Sequence, residues 1–99
     1  MRAEVGRLKI LETFGRKRGR QIIGGKVSSG KIERGLGLII MRGKEQIGQG
    51  KLVNLQRNRR EIKEGNKGDE VGMLYEGGGD VQQGDIVVAF REERIKAEL

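Results

Sequence analysis

The glycines constrain this chain more than any other feature. There are 18 among 99 residues, against about 7% in an average domain. They are spread along the chain and flank β-branched and aliphatic runs, while proline is absent. Glycine supplies the positive-φ positions of tight turns, and short apolar runs bounded by such turns read as strands. The pattern predicts an all-β fold of one domain. A closed barrel of six or seven strands is favoured over an open sheet, because closure removes the edges a small soluble domain must otherwise protect.

Alternation places the strands. From Arg2 to Phe14, Ala3 and Val5 alternate, and after Gly6 the phase shifts to Leu8 and Ile10. A glycine at a phase change predicts a bulge. An amphipathic helix from Val5 to Leu11 is the rival reading. Gln21 to Val27 is the second strand, where Gly24-Gly25 leaves one face bare, as happens where a backbone or ligand comes close. Ser28 to Gly30 reads as a turn. Further strands are expected at Leu36 to Arg42, Glu45 to Leu55, Ile62-Lys63, Glu70 to Tyr75 and Ile86 to Phe90. Gly68-Asp69 and Gly84-Asp85 each precede an apolar strand and read as corners that close the barrel. The barrel is expected over residues 1–91, followed by a charged tail over residues 92–99.

Composition excludes most chemistry. The chain has no cysteine and no histidine, so disulfides and thiolate catalysis are out. A metal would need carboxylates alone, and no calcium-loop spacing exists, so no metal site is expected. A serine nucleophile would need Ser28 or Ser29 activated by Lys26 or Lys31, but Ser-Ser-Gly-Lys is a turn sequence. Gly25 to Ile32 nearly matches a phosphate-binding loop and fails at Ile32, where magnesium needs a hydroxyl. The expectation is a non-catalytic module. The N-terminus has no apolar signal segment, and the run from Leu38 to Met41 is too short to span a membrane. The cytoplasm and a monomer are the defaults.

The net charge of +7 points to a polyanionic partner, most often nucleic acid. Two stretches concentrate it. Arg57, Arg59 and Arg60 crowd one turn, where guanidinium groups can fork onto phosphates. Gly15 to Arg20 carries Arg16, Lys17, Arg18 and Arg20 and reads as a loop, either a solvated hairpin tip or a phosphate-contacting finger.

Five blocks then run in one order: R-A-E-V, I-I-G-G-K-V-S-S-G-K-I-E-R-G, G-K-L-V-N-L-Q-R, E-I-K-E-G-N-K-G-D-E-V-G-M and D-V-Q-Q-G-D-I-V-V-A-F. Together they resemble the C-terminal β-barrel of bacterial-type translation initiation factor two, from Arg2 to about Arg91. The resemblance implies a Greek-key barrel of the translation-factor domain-II type. It implies a role in translation initiation: binding the formyl-methionyl acceptor end of initiator tRNA on the ribosome, as the C-terminal module of a GTPase. GTP and magnesium would belong to that parent protein's other domain, leaving no cofactor here. The family's basic segment falls on Gln56, Arg57, Asn58 and Arg59. Its Glu-Cys-Gly corner falls on Glu70, Val71 and Gly72, and a second family cysteine falls on Gly25. The implied tRNA site is therefore Arg57, Arg59, Glu70, Gly72, Gly25 and Gln56. Further RNA contacts are expected from Arg16, Lys17, Arg18, Arg20 and Arg60. The alternative is a basic barrel that docks on RNA or the ribosome without aminoacyl specificity.

Overall fold

Strict alternation runs through the first half of β2 (Arg20–Glu33) and most of β7 (Glu70–Gly77). In β2, Gln21, Ile23, Gly25 and Val27 are buried, and Ile22 and Lys26 between them are exposed. That is the period of two expected of a strand with one wet face. In β7, Val71, Met73 and Tyr75 turn inward in the same way. The structure, a computed structural model, describes residues 2–92. The remaining elements are β1 (Arg2–Lys17), β3 (Gly37–Arg42), β4 (Glu45–Arg57), β5 (Arg60–Glu61), β6 (Glu64–Asn66) and β8 (Ile86–Glu92). No helix occurs among the described residues, so the helical reading of Val5 to Leu11 is excluded. Glu92, the first residue of the tail expected over residues 92–99, ends β8, and the rest of that tail lies outside the described residues.

Six strands close an antiparallel barrel in the order β1-β8-β3-β4-β7-β2 and back to β1, with β5 added beside β4 and β6 beside β2. Leu8, Ile23, Leu38, Ile40, Leu55 and Val87, drawn from five different strands, are fully buried at its centre. The expected bulge at Gly6 is present, as a register shift against β8 between Glu4 and Gly6. There Gly6 faces Gly30 of β2, and a Cβ on either would overlap the other strand's backbone. These two glycines let β1 and β2 cross closely enough to curl.

Three local readings needed correction. Ser28 to Gly30 is not a turn: it stays in β2, with Ser29 opposite Arg7 and Gly30 opposite Gly6. The turn-like composition marks a bend in one long strand that pairs with β1, β7 and β6 in turn. Gly15 to Arg20 is not a loop either. β1 and β2 run through it to a two-residue turn, Arg18-Gly19, closed by Lys17 opposite Arg20. Ile62-Lys63 lies between β5 and β6 rather than forming a strand.

The Gly-Asp corners are two copies of one device. Asp69 Oδ2 accepts from the Asn66 N–H at 2.9 Å, and Asp85 Oδ2 accepts from the Gln82 N–H at 2.8 Å. Gly68 and Gly84, at φ 94° and 93°, then donate their N–H groups to the Val27 and Ile10 carbonyls at 2.9 Å. Val27 and Ile10 donate back to the Asp69 and Asp85 carbonyls, again at 2.9 Å. Each corner thus hooks the chain onto one strand of the first hairpin, and the structural reading of both pairs holds.

The two corners differ in how their carboxylates are used. Asp85 is buried, and Arg42 grips it with two hydrogen bonds of 2.9 and 3.0 Å. Burial works against the charged form, but the hydrogen bonds from Arg42 and from the Gln82 N–H outweigh it, holding the Asp85 carboxyl below its usual value. Asp69 is more open and meets Arg57 only at 3.5 Å. The glycine-rich loop after β7 is pinned separately. Arg16 donates to the Gly77 carbonyl at 3.0 Å and to that of Gly79, the Tyr75 hydroxyl donates to Gly78 at 2.6 Å, and buried Gln21 brackets the Val81 N–H and C=O.

Candidate nucleic-acid interface

The outer face of β2 and β7 is a ladder whose rungs change chemistry. Arg20 stands opposite Glu76, Ile22 opposite Leu74, Gly24 opposite Gly72, and Lys26 opposite Glu70. The glycine rung continues sideways, with Gln56 of β4 opposite Gly72 and Glu12 of β1 opposite Gly24. A Cβ on Gly72 would meet nothing within 4 Å, and one on Gly24 only the Glu12 Cβ at 4.0 Å. The rung is therefore a notch in an otherwise covered wall. Glu12, Glu70 and Asn58 rim it, enclosing an open cleft of about 340 Å³.

Gly72 is also part of an adjoining hollow of about 170 Å³ walled by Ile22, Leu74, Asn54 and Gln56. Ile22 and Leu74 lead on to a larger cleft, about 660 Å³, beside Arg18 and Arg20 at the hairpin tip. One groove thus runs from that tip, over an apolar rung, to the glycine notch. Ile22 is 52% exposed, and for a strand aliphatic that makes it an available contact surface.

The basic turn sits at the notch. Arg57 and Arg60 are directly paired at the ends of β4 and β5, and Asn58 and Arg59 form the two-residue turn between them. Both turn residues have positive φ, 52° and 65°. This is the type I′ geometry that fits the twist of a hairpin, where asparagine then glycine is preferred. Asn58 suits its place; Arg59 occupies a position that disfavours any side chain. Arg18, at φ 55°, does the same at the first hairpin tip. Two hairpins on this domain therefore present an arginine where glycine or asparagine would be more stable.

The residues singled out in the sequence divide accordingly. Gln56, Glu70 and Gly72 come together at the notch, and Arg57 and Arg59 flank Asn58, the one residue of their turn that lines it. Gly25 lies at its floor but faces inward, and a Cβ there would overlap Leu8 and the Lys9 carbonyl. Its neighbour Gly24 is the glycine that opens outward. Arg60 is exposed beside Arg57. Arg18 is exposed at the far end of the groove, and Arg20 there pairs with Glu76 at 3.4 Å. Arg16 is occupied by the Gly77 and Gly79 carbonyls. The Lys17 side chain lies outside the described residues. The sequence-derived site left out Glu12, Ile22 and Leu74 entirely, and noted Gly24 and Asn58 without assigning them to it. The bare face at Gly24-Gly25 was the available signal.

The phosphate-loop match at Gly25 to Ile32 dissolves, because the segment is extended strand rather than a cradle. Among the described residues, no group of three or more acidic side chains is placed to hold a metal ion, and no helix is long and apolar enough to cross a membrane.

Residues 4–88 match the family described as elongation factor Tu domain 4. The chain belongs to that family. Its relatives include proteins named translation initiation factor IF-2 from Brucella ovis and Brucella melitensis, each 37% identical over 95 residues. Those alignments cover 96% of this chain and 10% of each relative, so the chain spans about a tenth of the length of the curated relatives it matches. The fold is similar to that of GDP-bound aIF5B from Aeropyrum pernix, with a TM-score of 0.70 at 22% identity, covering 85% of this chain and 14% of that one. The domain is of the C-terminal type found in these initiation factors.

Proposed function

We propose that this domain holds the formyl-methionyl acceptor end of initiator tRNA during translation initiation. It does so as the non-catalytic C-terminal module of a ribosome-dependent GTPase whose nucleotide and magnesium are bound elsewhere. The observation that carries the reading is the Gly24–Gly72 notch, open to solvent and flanked by an arginine hairpin on one side and an apolar rung on the other. An acceptor end has those parts: a phosphodiester strand, an ester-linked acyl group and an apolar side chain. Arg57 and Arg59 take the phosphates, as forked donors do. The notch admits the acyl group because no side chain fills it, and Ile22 and Leu74 receive the methionyl chain. Glu70 and Gln56 supply the polar rim. A monomer acting in the cytoplasm, on the ribosome, follows from the same reading.

The test is a titration with formyl-methionyl-tRNA, methionyl-tRNA and bare tRNA at low and moderate salt. The formylated form is expected to bind most tightly, and its advantage to survive moderate salt. Arg57→Ala is expected to weaken its binding by about 1–3 kcal/mol, as for a lost charged hydrogen bond, with little effect on folding because the Arg57–Asp69 contact is half-exposed. Equal, salt-sensitive binding of all three RNAs would replace this reading with the second one, a basic barrel that docks on RNA by charge. The exposed Arg18 tip is the feature that favours that alternative.

A further inference from the structure

Lys9 of β1 and Lys26 of β2 are directly opposed across the hairpin. Like charges in that arrangement repel at close range. Lys67 belongs to the corner before β7, which the Gly68 and Val27 hydrogen bonds fasten to β2, and this brings it to the same place. The three lysines wall an open cleft of about 530 Å³ whose apolar side is formed by Leu11 and Val27. Among the described residues, none of the three has an ion-pair partner. Lys31, a few residues along β2, shows the contrast: it is held by Glu33 and Glu64 at 3.3 and 3.4 Å. Leu11 also lines the glycine notch, so the two clefts adjoin across that side chain.

We propose that Lys9, Lys26 and Lys67 form a second anion subsite that takes backbone phosphate from the RNA strand whose end enters the notch. The proposal rests on the reading of the notch as an acceptor-end site and extends it by one binding element. A phosphodiester between the opposed ammonium groups turns their repulsion into two attractions. A subsite beside the notch favours a linear polyanion, an RNA strand, over the carboxylates of a protein partner.

The experiment uses the full chain, a K9Q/K26Q double variant and a K67Q variant, titrated with bare and acylated tRNA across a potassium chloride series. Each lost phosphate contact is expected to flatten the slope of log K against log salt by about 0.7–0.9. Bare and acylated tRNA should weaken by the same factor, leaving the preference between them intact. The double variant should melt no lower than the parent, since it removes a repulsive pair. A folded variant with an unchanged salt slope overturns the subsite, and so does a loss confined to acylated tRNA. A full chain showing no acyl preference refutes the notch reading instead, and the slope change still reports the lysines separately. K67Q, at an exposed corner, repeats the slope test without altering a strand.

Discussion

Arg59→Gly is expected to stabilise the fold and weaken RNA binding together. Arg59 sits at φ 65° in the second position of a two-residue hairpin turn. A side chain in the left-handed region costs about 1–2 kcal/mol. Glycine relieves that cost but gives the unfolded chain extra freedom, worth about 0.4–1 kcal/mol. The net gain is about 0–1.6 kcal/mol, and its midpoint, about 0.8 kcal/mol, raises Tm by about 3–6 °C for a domain of this size. The same change removes a guanidinium next to Asn58, which rims the notch. A charged hydrogen bond at an exposed, salt-screened position is worth about 1–2 kcal/mol, so Kd for acylated tRNA should rise about 5–30-fold. The assay pairs thermal unfolding followed by circular dichroism with a tRNA titration on the same preparation. Arg59→Asn separates the effects, because asparagine tolerates the conformation but carries no charge: its Tm gain should be smaller and its binding loss similar. A Tm that fails to rise in Arg59→Gly would mean the turn imposes no strain on Arg59. Unchanged affinity would remove Arg59 from the interface.

Other outcomes follow from the same geometry. Gly25→Ala should destabilise by about 1–3 kcal/mol through overpacking against Leu8 and the Lys9 carbonyl, whereas Gly72→Ala should fold normally and lose acylated-tRNA binding; paired denaturant and binding curves distinguish them. Asp85 has a depressed pKa, so its contribution is fully present above the ordinary carboxyl range near pH ~3.9 and is lost as pH falls through the folded value. Asp85→Asn should therefore flatten the acid limb of a stability–pH profile. Tyr75, buried and donating to Gly78, has its phenol pushed up by burial, with nearby Arg16 opposing. Its contribution holds below about pH 10 and fades as pH rises through the folded value; Tyr75→Phe should remove this alkaline component and cost about 1 kcal/mol at neutral pH for the hydrogen bond.

Alternation and glycine placement determined the barrel without help from tertiary structure. A period of two with no proline leaves few arrangements besides antiparallel strands, and the bulge at Gly6 follows from a phase change visible in Val5, Leu8 and Ile10. The Gly-Asp corners were legible because their hydrogen bonds are local: each carboxylate reaches a backbone N–H three residues back. Arg57, Glu70 and Gly72 were singled out by family resemblance, not by their own chemistry. What needed the fold was facing and convergence. Gly24 and Gly25 are adjacent and chemically identical, yet one opens the notch and the other packs under Leu8. Which is which depends on the register between β1 and β2, set by the shift between Ile10 and Glu12, and a slip of one residue would exchange them. Arg16 and Arg18 lie in one basic stretch, but only the closed barrel brings the Gly77 and Gly79 carbonyls to Arg16 and leaves Arg18 to solvent. Lys9, Lys26 and Lys67 belong to three separate segments, and only barrel closure gathers their charges around one cleft. Local composition fixes what each strand is; non-local pairing fixes which side of it the solvent meets.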